Sequence, residues 1–250
     1  MDSALDGIRQ AGFEAIELCS IPGMGADHLS ADASQEAVTS IGRSIKDRGL
    51  AIDSIGASSN LADPDARKRV KRLMGLAADL GAPSVASSPG GVADDEASFA
   101  EAVRAIDEIA KHGSELGVRL ALKPHLGSVA YNTPTALRLM IEVDTEWVCL
   151  NFDASHVYRA GDDPVTSLRD LAPFVGNARI RDAKSSTGGP PPVAEQVCGA
   201  GVLDIRALVD VMRGIDRLEY VVLEIVGMNG YPLERVQGAA EQSINYLRAA

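Results

Sequence analysis

The feature that most narrows what this chain can fold into is a strict alternation of short apolar runs with longer segments of helical period. Seven runs read as strands, at Glu14 to Cys19, Leu50 to Ile55, Ser84 to Ser87, Arg119 into Lys123-Pro124-His125, Val148 to Asp153, Ala178 to Asp182 and Tyr220 to Glu224. Helical patterns lie between them: Ser3 to Gln10; the repeat Ala37, Ile41, Ile45; a helix opened by Pro64 and closed by Gly81; one from Phe99 to near Gly117; Leu137, Met140, Ile141; 164–174; 204–215; and a last one from about Leu233. Such alternation implies parallel strands joined by right-handed crossovers. A length of 250 residues suits one (β/α)8 TIM barrel, which takes roughly 250. The expectation is therefore an α/β chain forming one TIM-barrel domain over residues 1–250.

The count is uneven, because eight helices accompany only seven strands and the chain begins in a helix. A barrel without its first strand carries two unpaired edges. The first strand is thus expected to be lacking or truncated, with a seven-stranded or partner-patched barrel as the competing idea. Four strands end in ionisable residues, Lys123, Asp153, Arg179 and Glu224. In a closed parallel barrel the active site is built at the carboxyl ends of the strands, so these four are the expected catalytic centre.

Charge and composition exclude several classes. A net charge of −11 and a pI near 4.8 argue against nucleic-acid or anionic-membrane partners, which favour a positive surface. No run of 18 apolar residues suggests a membrane span, and the acidic first residues do not resemble a secretory leader. Cys19, Cys149 and Cys198 are odd in number and far apart, which reads as free thiols in a reducing cytoplasm. GxGxxG, Walker A, CxxC, HExxH and GxSxG motifs are absent, leaving nucleotide redox, phosphoryl transfer and serine hydrolysis without support.

Several ordered segments resemble the xylose-isomerase-like TIM barrels, the superfamily of sugar-phosphate isomerases and epimerases related to endonuclease IV. They are Gly12 to Leu18, Leu122-Lys123-Pro124-His125, Phe152 to His156 followed by Ala160 to Pro164, Arg181 to Lys184, Gly199 to Asp204, and Leu223-Glu224. The resemblance implies one divalent ion held by a Glu, an Asp, a His and a second Glu at strand ends. Here Lys123 stands at the first Glu position and Arg179 at the His position, while Asp153 and Glu224 keep their types. Neither an ammonium nor a guanidinium has a lone pair to offer a cation. No metal and no other cofactor is expected, with Mn²⁺ or Mg²⁺ kept as the alternative.

Two cations and two carboxylates at one focus cancel without an ion. Lys123 and Arg179 could then stabilise an enolate or alkoxide while Glu224 or Asp153 moves a proton. A Schiff-base role for Lys123, or an inert salt-bridge cluster, are the competing readings. His125, His156, Arg181, Asp182 and Lys184 are the expected substrate-binding residues: the histidines at the barrel mouth, Asp182 orienting a cation or hydroxyl, Arg181 and Lys184 holding a carboxylate or phosphate. His28 and His112 read as surface residues, and Gly188-Gly189-Pro190-Pro191-Pro192 as a lid. The expected function is a metal-independent isomerase or epimerase moving a proton next to a carbonyl of a small polar metabolite. A lyase, dehydratase, decarboxylase or cyclase, and a non-catalytic binding barrel, are the alternatives. The partner is a small molecule, the location cytoplasmic, and homo-oligomerisation possible.

Overall fold

The computed structural model describes residues 1–23, 27–143, 146–186 and 191–250. Seven parallel strands form one sheet in chain order: β1 (Ala15–Cys19), β2 (Ala51–Asn60), β3 (Ser84–Ser88), β4 (Arg119–Leu122), β5 (Val148–Asp153), β6 (Val175–Ile180) and β7 (Val222–Leu223). Around them run α1 (Asp2–Ala11), α2 (Gln35–Asp47), α3 (Pro64–Leu80), α4 (Glu96–Leu116), α5 (Thr133–Glu142), α6 (Ala154–Arg159), α7 (Pro164–Leu171), α8 (Val193–Gln196), α9 (Ile205–Met212) and α10 (Leu233–Arg248). This is a TIM barrel short of one strand and nearly closed. Among the described residues β7 and β1 do not pair. The seam between them is spanned on the outside by α1 and α10, where Gln237 Nε2 donates to Gly7 O at 3.1 Å and an Arg248 guanidinium N–H donates to Gly12 O at 2.8 Å.

Local chemistry places the elements. Asp63 caps α3, with Pro64 in its first turn and Gly81 ending it at φ 73°. Asp95 caps α4 by accepting from Ser98 N at 2.6 Å, and Asn132 and Thr135 form a reciprocal capping box on α5. Three expectations need correction. The last strand is only Val222–Leu223, although Glu224 N still donates to Ile180 O at 3.2 Å. The expected helix 164–174 breaks into α7 and a 3₁₀ turn over 172–174, and β6 starts three residues early. Ile141 is 75% exposed, because α5 buries the face carrying Ala136, Leu139 and Met140 instead.

Period-2 alternation sorts the strand residues into two layers. Leu18, Leu120, Leu122, Leu150, Phe152 and Ile180 face the helices and join the main apolar core. The residues between them face the barrel axis, where Ala86, Ala121 and Cys149 make a separate small cluster. Bulky branched residues dominate the interior of most such barrels. Here the interior is small and ionic, which leaves room for long charged side chains.

Candidate active site

Six charged side chains converge where β4, β5, β6 and β7 end. Lys123 leaves the sheet just after β4, its N–H donating to Ser87 O at 2.8 Å. Its Nζ lies 3.6 Å from Asp153 Oδ2 and 3.5 Å from Glu224 Oε2. Arg179 reaches Glu224 Oε1 at 3.1 Å and pairs closely with Glu17 of β1. Arg181 lies 3.2 Å from Glu224 Oε2 and 3.5 Å from Asp153 Oδ2, and its Nε donates to Ser155 Oγ at 2.8 Å. Lys123, Arg179 and Arg181 thus balance Glu17, Asp153 and Glu224.

Asp153 ends β5 and caps α6. Its Oδ1 accepts from the Ser155 hydroxyl at 2.7 Å and from Ser155 N at 3.0 Å, so a helix N-terminus adds to the cations holding it. Burial works against its charge, but His156, Arg181, Lys123 and the Ser155 bond outweigh burial and keep the carboxyl far below the usual range. Burial likewise opposes ionisation of Glu224, and Arg179 and Lys123 overcome it, lowering its pKa. Arg179 is buried too, yet Glu17 and Glu224 hold its proton more tightly than in water. The accessible carboxylate of the pair is Glu224, whose side chain is 24% exposed against 1% for Asp153.

His156 lies beside this cluster, with Nε2 3.7 Å from Asp153 Oδ2. Burial lowers its pKa to about 4 in spite of Asp153, so the ring is neutral near pH 7. Its Nδ1 is buried without a hydrogen-bond partner among the described residues. The exposed His125 ring stacks on it at 4.7 Å, tilted by 54°.

The other expected residues fall elsewhere. Asp182 spends its oxygens on backbone N–H groups of Ala183, Gly199 and Leu203, at 2.9, 3.0 and 3.1 Å. It ties the 196–203 loop to the end of β6 and stands apart from the charge cluster. Lys184 is exposed and makes no ion pair among the described residues. Within the lid reading, Gly188, Gly189 and Pro190 lie outside the described residues. His28 is exposed and His112 half-buried. The three cysteines are free, and burial pushes their thiols up to about 11 for Cys19 and about 12 for Cys149 and Cys198, which leaves no thiolate nucleophile at neutral pH.

Glu17 and Ser155 were not singled out from the sequence as site residues. Glu17 had a signal: Ile16 and Leu18 face the helices, so the residue between them faces the axis. Two residues beyond its register partner Ser54 on β2 lies Gly56, where a Cβ would come within 2.6 Å of Glu17 Oε1 and 3.5 Å of an Arg179 nitrogen. Glycine there lets the pair pack as it does without a shift.

A family model described as xylose isomerase-like TIM barrel matches residues 5–250. The chain belongs to that family. Among solved structures, the probable 3-DHS dehydratase AsbF from Bacillus anthracis superposes with a TM-score of 0.79 at 19% identity, over 98% of this chain and 92% of that one. A D-psicose 3-epimerase gives 0.77 at 17%, over 99% and 92%. A xylose isomerase-like TIM barrel protein from Mycobacterium smegmatis in complex with magnesium gives 0.76 at 18%, over 98% and 86%. At these identities the likeness speaks for the fold alone. No curated protein matches the chain.

The donor set of this xylose isomerase-like barrel does not fit the divalent ion its family implies. Among the described residues no three His, Cys, Asp or Glu side chains come together as a metal would need. The two central carboxylates are instead turned onto Lys123, Arg179 and Arg181, and neither cation type can ligate a metal.

Proposed function

We propose that this barrel is a metal-independent isomerase or epimerase that moves a proton next to the carbonyl of a small polar metabolite, sugar-like or keto. The observation carrying this reading is Lys123 Nζ poised between Asp153 and Glu224 at 3.6 and 3.5 Å. Lys123, with Arg179 behind it, offers fixed positive charge to the oxygen of an enolate, and preorganised donors of this kind are the usual means of stabilising one. Glu224, the exposed carboxylate, takes the proton from the neighbouring carbon. The C–H electron pair moves into the enolate; returning the proton to the other face gives the epimer, and returning it to the former carbonyl carbon, with the neighbouring hydroxyl proton passing to the enolate oxygen, gives the isomer. Asp153 is too deeply bound to exchange a proton and serves as a fixed anion. Neutral His156, stacked on His125, is the second group able to carry a proton across the mouth.

Lys123→Met and Glu224→Gln test this. Enolisable ketoses and keto acids are incubated in D₂O and followed by NMR. Wild type should wash deuterium into the α position, and each variant should slow this by about 10²–10³, the loss expected when one oxyanion donor or proton carrier goes. Wild type inert toward all such compounds would instead leave a binding barrel. Protein purified without chelator should hold less than about a tenth of an equivalent of metal and show no rise in Tm with Mn²⁺, Mg²⁺, Co²⁺ or Zn²⁺, since a bound ligand must stabilise by mass action.

A dehydratase or related lyase is the second reading, favoured by three cations around one carboxylate and by the fold shared with the probable dehydratase AsbF. Both chemistries begin with the same enolate. Loss of water from a β-hydroxy carbonyl compound, read as a new conjugated absorbance, separates them.

A further inference from the structure

Beneath the charged cluster the barrel holds a second polar set that the proposed chemistry leaves unused. Asp53 and Ser54 of β2, Ser84 of β3 and Asn177 of β6 are buried, at 7, 1, 3 and 4% exposure. Asp53, Ser84 and Asn177 line a cleft of about 1030 Å³ at the amino-terminal mouth. The register explains how two successive residues turn inward: Ile16 pairs with Ile52 but Glu17 with Ser54, so Asp53 is the extra residue of a bulge.

Ser54 Oγ lies 2.9 Å from Glu17 Oε2 and 2.8 Å from Asp53 Oδ2. A hydroxyl has one proton to donate. It can serve one carboxylate, and the other contact is a hydrogen bond only if that carboxyl carries a proton of its own. Glu17 already has the Arg179 guanidinium as counter-ion. Asp53 makes no ion pair among the described residues, and its remaining partner is Asn177 Nδ2 at 3.1 Å. The Asn177 amide orientation does not change the count. As assigned, its Oδ1 accepts from Ser84 Oγ at 3.1 Å; turned over, its oxygen would itself require a proton on Asp53.

The groups facing Asp53 act in both directions. Burial raises its pKa most, Glu17 adds to the effect, and the Ser54 and Asn177 bonds and Arg179 oppose it. Cys149 of β5 and Tyr220 before β7 present a thiol and a phenol whose own pKa values burial raises. Arg119, Arg217 and Glu219 at the mouth are exposed, as are Arg43, Lys46 and Asp47 of α2 and Asp79 of α3, so solvent screens them.

We propose that Asp53 is a carboxylic acid in the working protein, donating to Ser54 so that Ser54 donates to Glu17 and Glu17 aims Arg179 at Glu224. Asp53 is then a positioning residue acting through three others. Its influence on turnover rests on the proposed function, whereas its protonation does not.

Asp53→Asn, which keeps the donor and removes the titration, and Ser54→Ala, which removes the acceptor, test both parts. Infrared spectra of wild type at pH 7 should carry a carboxylic-acid C=O stretch that is absent from Asp53→Asn and displaced in Ser54→Ala. An acid whose folded pKa exceeds the unfolded value of about 3.9 stabilises the fold fully below that value, and the stabilisation is lost as pH rises through the folded pKa. The Tm advantage of Asp53→Asn over wild type should therefore widen above pH 4, by roughly 3–5 °C per pH unit at this chain length, until the folded pKa is passed. No such band in wild type, or a Tm difference constant from pH 5 to 8, overturns the protonation. With the band present, wild-type exchange should fall as pH rises through the Asp53 transition, Asp53→Asn should stay within about threefold of wild type and lack that fall, and Ser54→Ala should lower kcat more than it raises KM. Unchanged kcat and pH profiles in both variants overturn the positioning link. A wild type that exchanges no substrate is a failure of the functional reading, and the infrared and melting arms then decide the proposal alone.

Discussion

Glu17 and Arg179 meet inside the barrel against position 56, which has no side chain. Gly56→Ala would press a methyl to 2.6 Å from Glu17 Oε1, and overpacking of this kind costs about 1–3 kcal/mol. Urea melts should show that loss, together with slower deuterium exchange, because Arg179 loses its anchor; unchanged values would mean the pair relaxes freely. His156 gives a pH signature. Its folded pKa of about 4 lies below its ordinary 6.5, so its stabilising contribution is present above pH 6.5 and is lost as pH falls through 4. That window is worth at most about 3 kcal/mol. His156→Gln should flatten the decline in Tm between pH 6.5 and 4, and an equally steep decline in the variant would assign it to the carboxylates.

Caps and strand ends carry the element-scale predictions. Asp163 caps α7 at the surface, accepting from Thr166 N at 2.8 Å, so Asp163→Ala should cost about 1 kcal/mol. Asp153 caps α6 by accepting from Ser155 N at 3.0 Å and His156 N at 3.3 Å, but also faces Lys123 and Arg181. Asp153→Asn keeps a cap and leaves buried cations short of an anion, a change worth about 3–5 kcal/mol. Paired denaturant curves would show the contrast, and similar costs would mean the cap alone matters at 153. The strand ends were also what could be read from the sequence. Lys123, Asp153 and Glu224 each close an apolar run and Arg179 falls one residue before the end of β6, and runs of that kind are visible without coordinates. Glu17 lies within a strand, where only the period of two exposes it. Arg181 and Asp182 show the same rule: Arg181 is two residues beyond Arg179 and joins the cluster, while its neighbour Asp182 turns to the loop. The six-residue α6 has too few turns to show a helical period, and the bulge at Asp53 breaks the period that would have marked it.

The whole barrel is uneven in its closure. Strands β3 to β6 are bonded on both sides and almost wholly buried, whereas β7 is two half-buried residues beside an unpaired β1 edge. Local opening follows burial and backbone pairing, so amide hydrogen exchange should be slowest in β3 to β6 and fastest, among the strands, in β7. Uniform protection around the ring would mean that the seam is covered in solution. The sixfold charge balance at the centre has one more consequence, for how a substrate arrives. Opposite charges packed within a few ångströms cast almost no field beyond a Debye length, about 8 Å at physiological salt. A neutral metabolite approaching the acidic surface therefore meets an electrically silent doorway, and its capture rate should change by less than about twofold between low and high salt. On the proposed reading the charges act only after entry: the proton taken from carbon neutralises Glu224 while the enolate oxygen takes up the negative charge, so the sum stays at zero throughout.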